Sequence, residues 1–204
     1  MRGLEVLEDA VARHGDGLVL LCSFQKEESV LVDALLQVTD APRIVTIDTG
    51  VLFPETLATW RAFEERFGVQ IEVEEASGDW TGPEHCCSAA KVAALERALD
   101  GATGWVTGLR REQSPTRAGA ERVEFDEGRG IWKFNPLVDW TERDVWRAIH
   151  ERDLPYHPLH DAGYASIGCA PCTNPGSGRE GRWAGTDKLE CGLHVTAAGG
   201  GAAG

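Results

Sequence analysis

The residues of this chain best able to do chemistry are its six cysteines, and their spacing sorts them. Cys86 and Cys87 are adjacent, Cys169 and Cys172 enclose Ala170 and Pro171, Cys22 sits in an apolar run, and Cys191 stands alone near the C-terminus. Two pairs far apart in sequence can bring four thiolates to one centre, either a structural zinc or an iron–sulfur cluster. The adjacent pair is the more telling. Successive side chains on a helix diverge by about 100°, which is awkward around one tetrahedral ion and easier around a larger multi-iron cluster. The plain alternatives are two ordinary buried thiols at 86 and 87 and a redox dithiol at 169 and 172. The second is weak, because Gly163-Tyr-Ala-Ser-Ile-Gly168 is not the strand that a thioredoxin-like motif follows. Cys22 reads as core.

Cys191 lies in Glu190-Cys-Gly-Leu-His194, with Arg179 and Arg182 upstream and only Ala and Gly from Ala197 to Gly204. A thiol in a mobile segment beside guanidinium groups can enter an anionic site and leave it again. Taken alone, the stretch fits a buried structural Cys before a disordered end equally well. The other five cysteines decide it: four ligands, one core thiol and one mobile thiol. The charge of Glu190 works against a thiolate at Cys191, so nearby cations have to offset it. Lys91 follows Cys87 by four residues, shares its helical face, and brings an ammonium near the ligands and any bound anion.

The chain's 204 residues suffice for one α/β domain with a sizeable core. A net charge of −13 argues against nucleic-acid and anionic-membrane surfaces. It leaves room for a local basic pocket. Of the 20 cations only four are Lys, so most can fork onto phosphate or sulfate. No secretory signal and no membrane-spanning run are visible, which predicts a cytoplasmic protein whose cysteines bind metal or do redox chemistry. The oligomeric state stays open, a homo-oligomer included.

These groups need elements to position them. Apolar residues at helical spacing predict a helix from Leu4 to His14, then a buried strand over Leu18–Cys22. A loop over 23–29, a helix from Ser29 to Val38, and a strand over Arg43–Asp48 follow. Pro54 opens a helix that reaches Phe67, and Gly68 stops it. Gln70–Glu74 alternates like a strand, 84–99 reads as a helix, and 104–108 as a strand. Val123 to Phe134 reads as a hairpin turning at 127–130. Thr141 caps a helix to His150. After Pro155 no periodicity remains. Repeated strand–helix units predict a doubly wound parallel sheet with its ligand at the carboxyl ends of the strands. The loops after Cys22, Asp48 and Gly108 leave from those ends and should share one crevice. That makes Ser23, Phe24, Gln25, Asp48 and Thr49 candidate substrate contacts.

Jointly and in order, several motifs resemble the assimilatory adenylyl-sulfate (APS) and phosphoadenylyl-sulfate (PAPS) reductases, in particular the iron–sulfur, APS-preferring branch. They are Ile47-Asp-Thr-Gly-Val-Leu-Phe-Pro-Glu-Thr56, Cys86-Cys87 with Lys91, and Gly108-Leu-Arg-Arg-Glu-Gln-Ser-Pro-Thr-Arg117. Further on come Phe134-Asn-Pro-Leu137, Pro155-Tyr-His-Pro-Leu-His160, Cys169-x-x-Cys172, Gly178-Arg-Glu-Gly-Arg182 and Glu190-Cys-Gly-Leu-His194. The likeness runs from Leu18 to His194. It departs at Ala90 and Ala94, where the family has Arg and Pro, and at an N-terminus shorter than usual, which predicts a missing leading helix.

The resemblance implies an adenine nucleotide α-hydrolase-like fold, related to the PP-loop proteins. It implies a [4Fe-4S] cluster on Cys86, Cys87, Cys169 and Cys172, a nucleophile at Cys191, and thioredoxin as reductant. The expected reaction is reduction of APS to sulfite and AMP through an enzyme S-sulfocysteine. Arg110, Arg111, Arg117, Arg179 and Arg182, with Lys91, are the expected clamp on the phosphosulfate; a solvated basic face is the alternative. Residues 1–178 would form the nucleotide and cluster domain, and 179–204 the mobile segment. Segment 23–29 has no glycine, unlike the phosphate loop of ATP pyrophosphatases, which suits a nucleotide that releases no pyrophosphate. A PAPS reductase, an ATP pyrophosphatase and a non-enzymatic zinc-binding module are the rival readings.

Overall fold

The computed structural model describes residues 3–76, 89–184 and 186. Six strands form one sheet: β1 (Leu18–Leu21), β2 (Arg43–Asp48), β3 (Glu72–Glu75), β4 (Gly104–Val106), β5 (Val123–Asp126) and β6 (Ile131–Phe134). Their order is β3-β2-β1-β4-β6-β5, and every neighbouring pair is parallel except β5 with β6. The expected hairpin exists, and it extends the main sheet: β6 pairs with β4 through Gly104↔Trp132 and Val106↔Phe134.

Strand alternation divides the core in two. Leu18 and Leu20 point to one face, where α1 (Leu4–His14), α2 (Lys26–Leu35), α3 (Pro54–Phe67) and α5 (Glu142–Glu151) pack through Leu7, Leu31, Phe63 and Val145. Val19, Val45 and Trp105 point to the other. That face is covered by α4 (Ala89–Ala98) and, beside it, by Cys169, Cys172 and Trp183. Helices on both faces make the sheet doubly wound.

The local signals act where expected. Pro54 starts α3, and Gly68, at φ 65°, ends it in the left-handed region with its N–H on the Glu64 carbonyl at 2.9 Å. Thr141 caps α5: its hydroxyl accepts from Asp144 N–H at 3.1 Å, and the Asp144 carboxylate accepts from Thr141 N–H at 3.0 Å. Several boundaries differ: α2 ends at Leu35, not Val38, and β4 at Val106, not 108. β3 is shifted to Glu72–Glu75, and α2 begins at Lys26, not Ser29. The Lys26-Glu27-Glu28 run reads as loop, but here all three side chains are buried against other partners, Lys26 on Glu142, Glu27 on Arg110 and Glu28 on Gln25 N–H, so they can join the helix. Only part of the 84–99 helix falls among the described residues. None of the described helices is long and apolar enough to cross a membrane.

The aperiodic stretch after α5 is pinned by a histidine. His157 is wholly buried, with Nε2 2.9 Å from Thr56 Oγ1 in α3, while Nδ1 accepts from Leu159 N–H at 3.3 Å. The proton therefore sits on Nε2, which donates. Burial, with the neighbouring His160 adding to it, pushes the imidazole down to about 4 from the usual 6.5. The unfolded chain takes up that proton near pH 6.5, and the folded chain only near 4. This contribution to stability is therefore complete above pH 6.5 and is lost as pH falls toward 4. His157→Gln, which keeps a donor and removes the titration, should flatten that part of the profile. Melting temperatures of both proteins across this range are the check, and parallel profiles would refute it.

Candidate active site

A cavity opens at the carboxyl ends of β1, β2 and β4, where doubly wound sheets bind ligands. Its first wall is the turn from β1 into α2. Ser23, Phe24 and Gln25 all line it. Phe24 has φ 59°, unusual for an aromatic residue, and is held there by stacking on Trp60 at 5.5 Å and an edge contact to Phe63 at 5.6 Å. Gln25 Oε1, its side-chain amide oxygen, accepts from Ile167 N–H at 2.8 Å, which draws segment 165–168 across the cavity.

The first turn of α2 then buries three ionisable side chains. Lys26 Nζ donates to the Ala165 carbonyl at 2.8 Å and pairs with Glu142 at 3.1 Å. Glu27 Oε1 receives both Nε and Nη2 of Arg110 at 2.9 Å. Glu28 Oε2 accepts from Gln25 N–H at 3.0 Å. Burial raises the Glu27 carboxyl, but Lys26 and Arg110 outweigh it and leave the group below its usual range. Burial, with the charge of Glu27 beside it, pushes Glu28 up to about 8. Glu28 is therefore mainly protonated at neutral pH and does not repel an anion.

The Arg-rich loop after β4 divides. Arg110 lines the cavity but is 2% exposed, and beyond Glu27 it donates to Glu112 at 3.0 Å, Glu142 at 3.3 Å and the Trp140 carbonyl at 3.3 Å. Burial lowers its pKa, and the three carboxylates more than reverse that. Arg111 turns away: its Nε donates to the Ala120 carbonyl at 2.8 Å and its guanidinium pairs with Asp139. Arg117 lines the cavity and donates to Gln113.

The loop after β2 serves the cysteine turn. Asp48 Oδ1 accepts from Gly50 N–H at 2.8 Å, and Thr49 Oγ1 lies 3.2 Å from Cys169 Sγ. Leu52 bridges Cys169, and Ala170 N–H donates to the Val51 carbonyl at 2.9 Å. This loop thus seats Cys169 at the cavity, while Asp48 and Thr49 are not among the lining residues. Cys169 and Cys172 are both buried, at the N-cap and the end of one 3-10 turn. Among the described residues no group of three metal-ligating side chains occurs. Cys86, Cys87 and Cys191 lie outside the described residues.

Lys91, Arg179 and Arg182 complete the lining. Arg182 Nη1 donates to the Ile167 carbonyl at 3.1 Å and contacts Ser166 Oγ at 3.4 Å. A Cβ at position 168 would lie 2.3 Å from its Nη2, so Gly168 is what lets the guanidinium lie against segment 165–168. The sequence reading missed Lys26, Glu27, Glu142 and Trp183. The signal available for the first two was a helix start followed directly by opposite charges.

Fold and cavity define an α/β protein of the adenine nucleotide α-hydrolase-like type. Residues 17–175 match the phosphoadenosine phosphosulfate reductase domain, and the chain belongs to that family. It is 46% identical over 209 residues to an adenosine 5'-phosphosulfate reductase of Bacillus pumilus, covering 94% of this chain and 90% of the relative. It is 44% identical to a protein of Gloeobacter violaceus named phosphoadenosine 5'-phosphosulfate reductase, covering 93% and 87%. The crystal structure of a PAPS reductase from Candida auris in a phosphate complex superposes with a TM-score of 0.70 at 26% identity, covering 83% of this chain and 89% of that one.

The Arg110–Glu27 pair yields a prediction. Arg110→Met leaves Glu27 buried without its partner and should cost about 3–5 kcal/mol of stability. Adding Glu27→Leu should restore most of it. Denaturant unfolding of the two variants is the check; an equal loss in both would show that the pair is not the cause.

Proposed function

We propose that this protein reduces adenylyl sulfate to sulfite and AMP, using thioredoxin as the electron donor. The observation that carries the reading is one cavity at the carboxyl ends of the strands that is lined by Lys91, Arg179, Arg182 and the thiol-bearing turn at Cys169, in a chain of this family. Arg182, with Arg117, Arg179 and Lys91, holds the phosphosulfate and stabilises charge building on the AMP phosphate. Arg110 serves instead through carboxylate pairs that shape the wall, and Arg111 pairs with Asp139 away from the cavity.

The chemistry falls on Cys191. Its thiolate attacks the sulfur of APS, an S–S bond forms, and the O–S bond breaks with its electron pair leaving on AMP. A thioredoxin thiolate then attacks Cys191 sulfur in the S-sulfocysteine, and sulfite departs with the S–S pair. The second thioredoxin thiol resolves the mixed disulfide and returns Cys191 as a thiol. The two electrons that convert sulfate-level sulfur to sulfite thus come from one dithiol.

Cys86, Cys87, Cys169 and Cys172 would hold a [4Fe-4S] cluster. The two described members of this set fit it: both are buried on one turn, and sulfur is the soft donor that such clusters take. When bound, it would supply structural cross-linking of the two cysteine pairs beside the anion site. Relatives' names divide between APS and PAPS reductases, and the two cysteine pairs with Lys91 favour APS. The protein would act in the cytoplasm.

Anaerobically purified protein should be brown, with about four irons per chain. It should release sulfite from APS, with a higher specificity constant than for PAPS in competition. Cys191→Ser should keep the colour and form no adduct. Wild-type protein given APS alone should gain one SO₃ group on Cys191 by mass spectrometry. Colourless protein with stoichiometric zinc, turnover by the Ser variant, or preference for PAPS would each overturn the corresponding element.

A further inference from the structure

We infer that Trp183 is a positioning residue for the anion: its indole face holds Arg179 and Arg182 at the cavity without cancelling their charge, and its backbone ties them to the cysteine turn. The inference rests on the nucleotide reading above. The guanidinium carbons of Arg179 and Arg182 lie 5.3 Å and 4.6 Å from the Trp183 ring centroid. Both arginines line the cavity. Arg182 is only 7% exposed, and among the described residues no carboxylate pairs with it. Its acceptors are the Ile167 carbonyl and the Ser166 hydroxyl, and its buried Nε has no hydrogen-bond partner there.

Burying a guanidinium costs free energy unless something compensates its charge. Arg110, equally buried, is compensated by three carboxylates. That leaves it held and neutralised, with little field for an incoming anion. An aromatic face does the other thing. It attracts the cation through its quadrupole and carries no net charge, so the positive field survives for a ligand. The same cavity therefore contains one arginine spent on structure and one kept positive.

The backbone of Trp183 is set for this role. Its φ is 52°, a left-handed conformation that L-residues with a Cβ adopt only when the surroundings over-determine it. Its N–H donates to the Cys172 carbonyl at 2.9 Å, and its own carbonyl accepts from Thr186 N–H at 3.0 Å and Oγ1 at 2.8 Å. The ring packs in the cluster that holds Cys169 and Cys172, and Thr173 bridges Arg182 in antiparallel fashion. The position of both guanidiniums is thus referred to the cysteine turn through a single residue.

The test is calorimetric titration of the anaerobically purified full chain with AMP and with adenosine, which lacks the anion. Trp183→Leu should weaken AMP binding about tenfold, the loss expected when cation–π holding is removed, and leave adenosine binding unchanged. Trp183→Phe should retain most of the AMP affinity. If Trp183→Leu does not fold, fluorinated tryptophan placed at 183 thins the π charge without changing the shape, and AMP affinity should fall stepwise with fluorination. AMP binding that is unaltered, or AMP and adenosine weakened in equal proportion, would overturn the inference and leave the nucleotide reading standing. Wild-type protein that binds neither ligand would overturn the nucleotide reading, and this inference with it.

Discussion

The buried pair between Glu27 and Arg110 joins the start of α2, just after β1, to the loop after β4. Those strands are neighbours at the centre of the sheet, and the cavity lies across their carboxyl ends. Glu142 bonds to both Lys26 and Arg110, so α5 is tied to the same knot. A buried ion pair of this kind is a doubtful source of net stability, since desolvation offsets much of its Coulombic gain. Its strength is directional. Arg110 has one geometry in which its fork meets Glu27, Glu112 and Glu142 together, and that geometry fixes where the wall stands.

The far wall is built differently. Segment 165–168 is gripped by Lys26, Gln25 and Arg182, all through its backbone. The cysteine turn is stapled to the loop after β2 by backbone bonds at Leu52 and Val51. The Arg182 grip depends on no carboxylate among the described residues, so the contacts that place this guanidinium do not cancel its charge. The two walls divide the work between rigid, neutralised charge and charge kept available for an anion.

Much of this was legible in the sequence, for a local reason. Pro54, Gly68 and Thr141 act through bonds to residues within four positions, so their effect does not depend on the rest of the fold. The continuous apolar run of β1 and the hairpin turn at 127–130 are similarly short-ranged. The start of α2 was not legible. Lys26, Glu27 and Glu28 look like solvated loop because their partners stand far off in the chain: Glu142 lies 116 positions beyond Lys26, and Arg110 83 beyond Glu27.

The arginines mark the boundary most clearly. The sequence by itself determined that guanidiniums would gather near a crevice, because Arg110, Arg111 and Arg117 sit on the loop after one central strand and Arg179 and Arg182 near the cysteine turn. It placed that crevice at the strand ends, since strand–helix alternation leaves loops nowhere else to converge. Only the tertiary structure decided which arginines keep their charge. Arg110 and Arg182 are both buried, yet three carboxylates surround one and an indole face carries the other. That difference is made by partners brought together through folding, whose distances no spacing along the chain encodes.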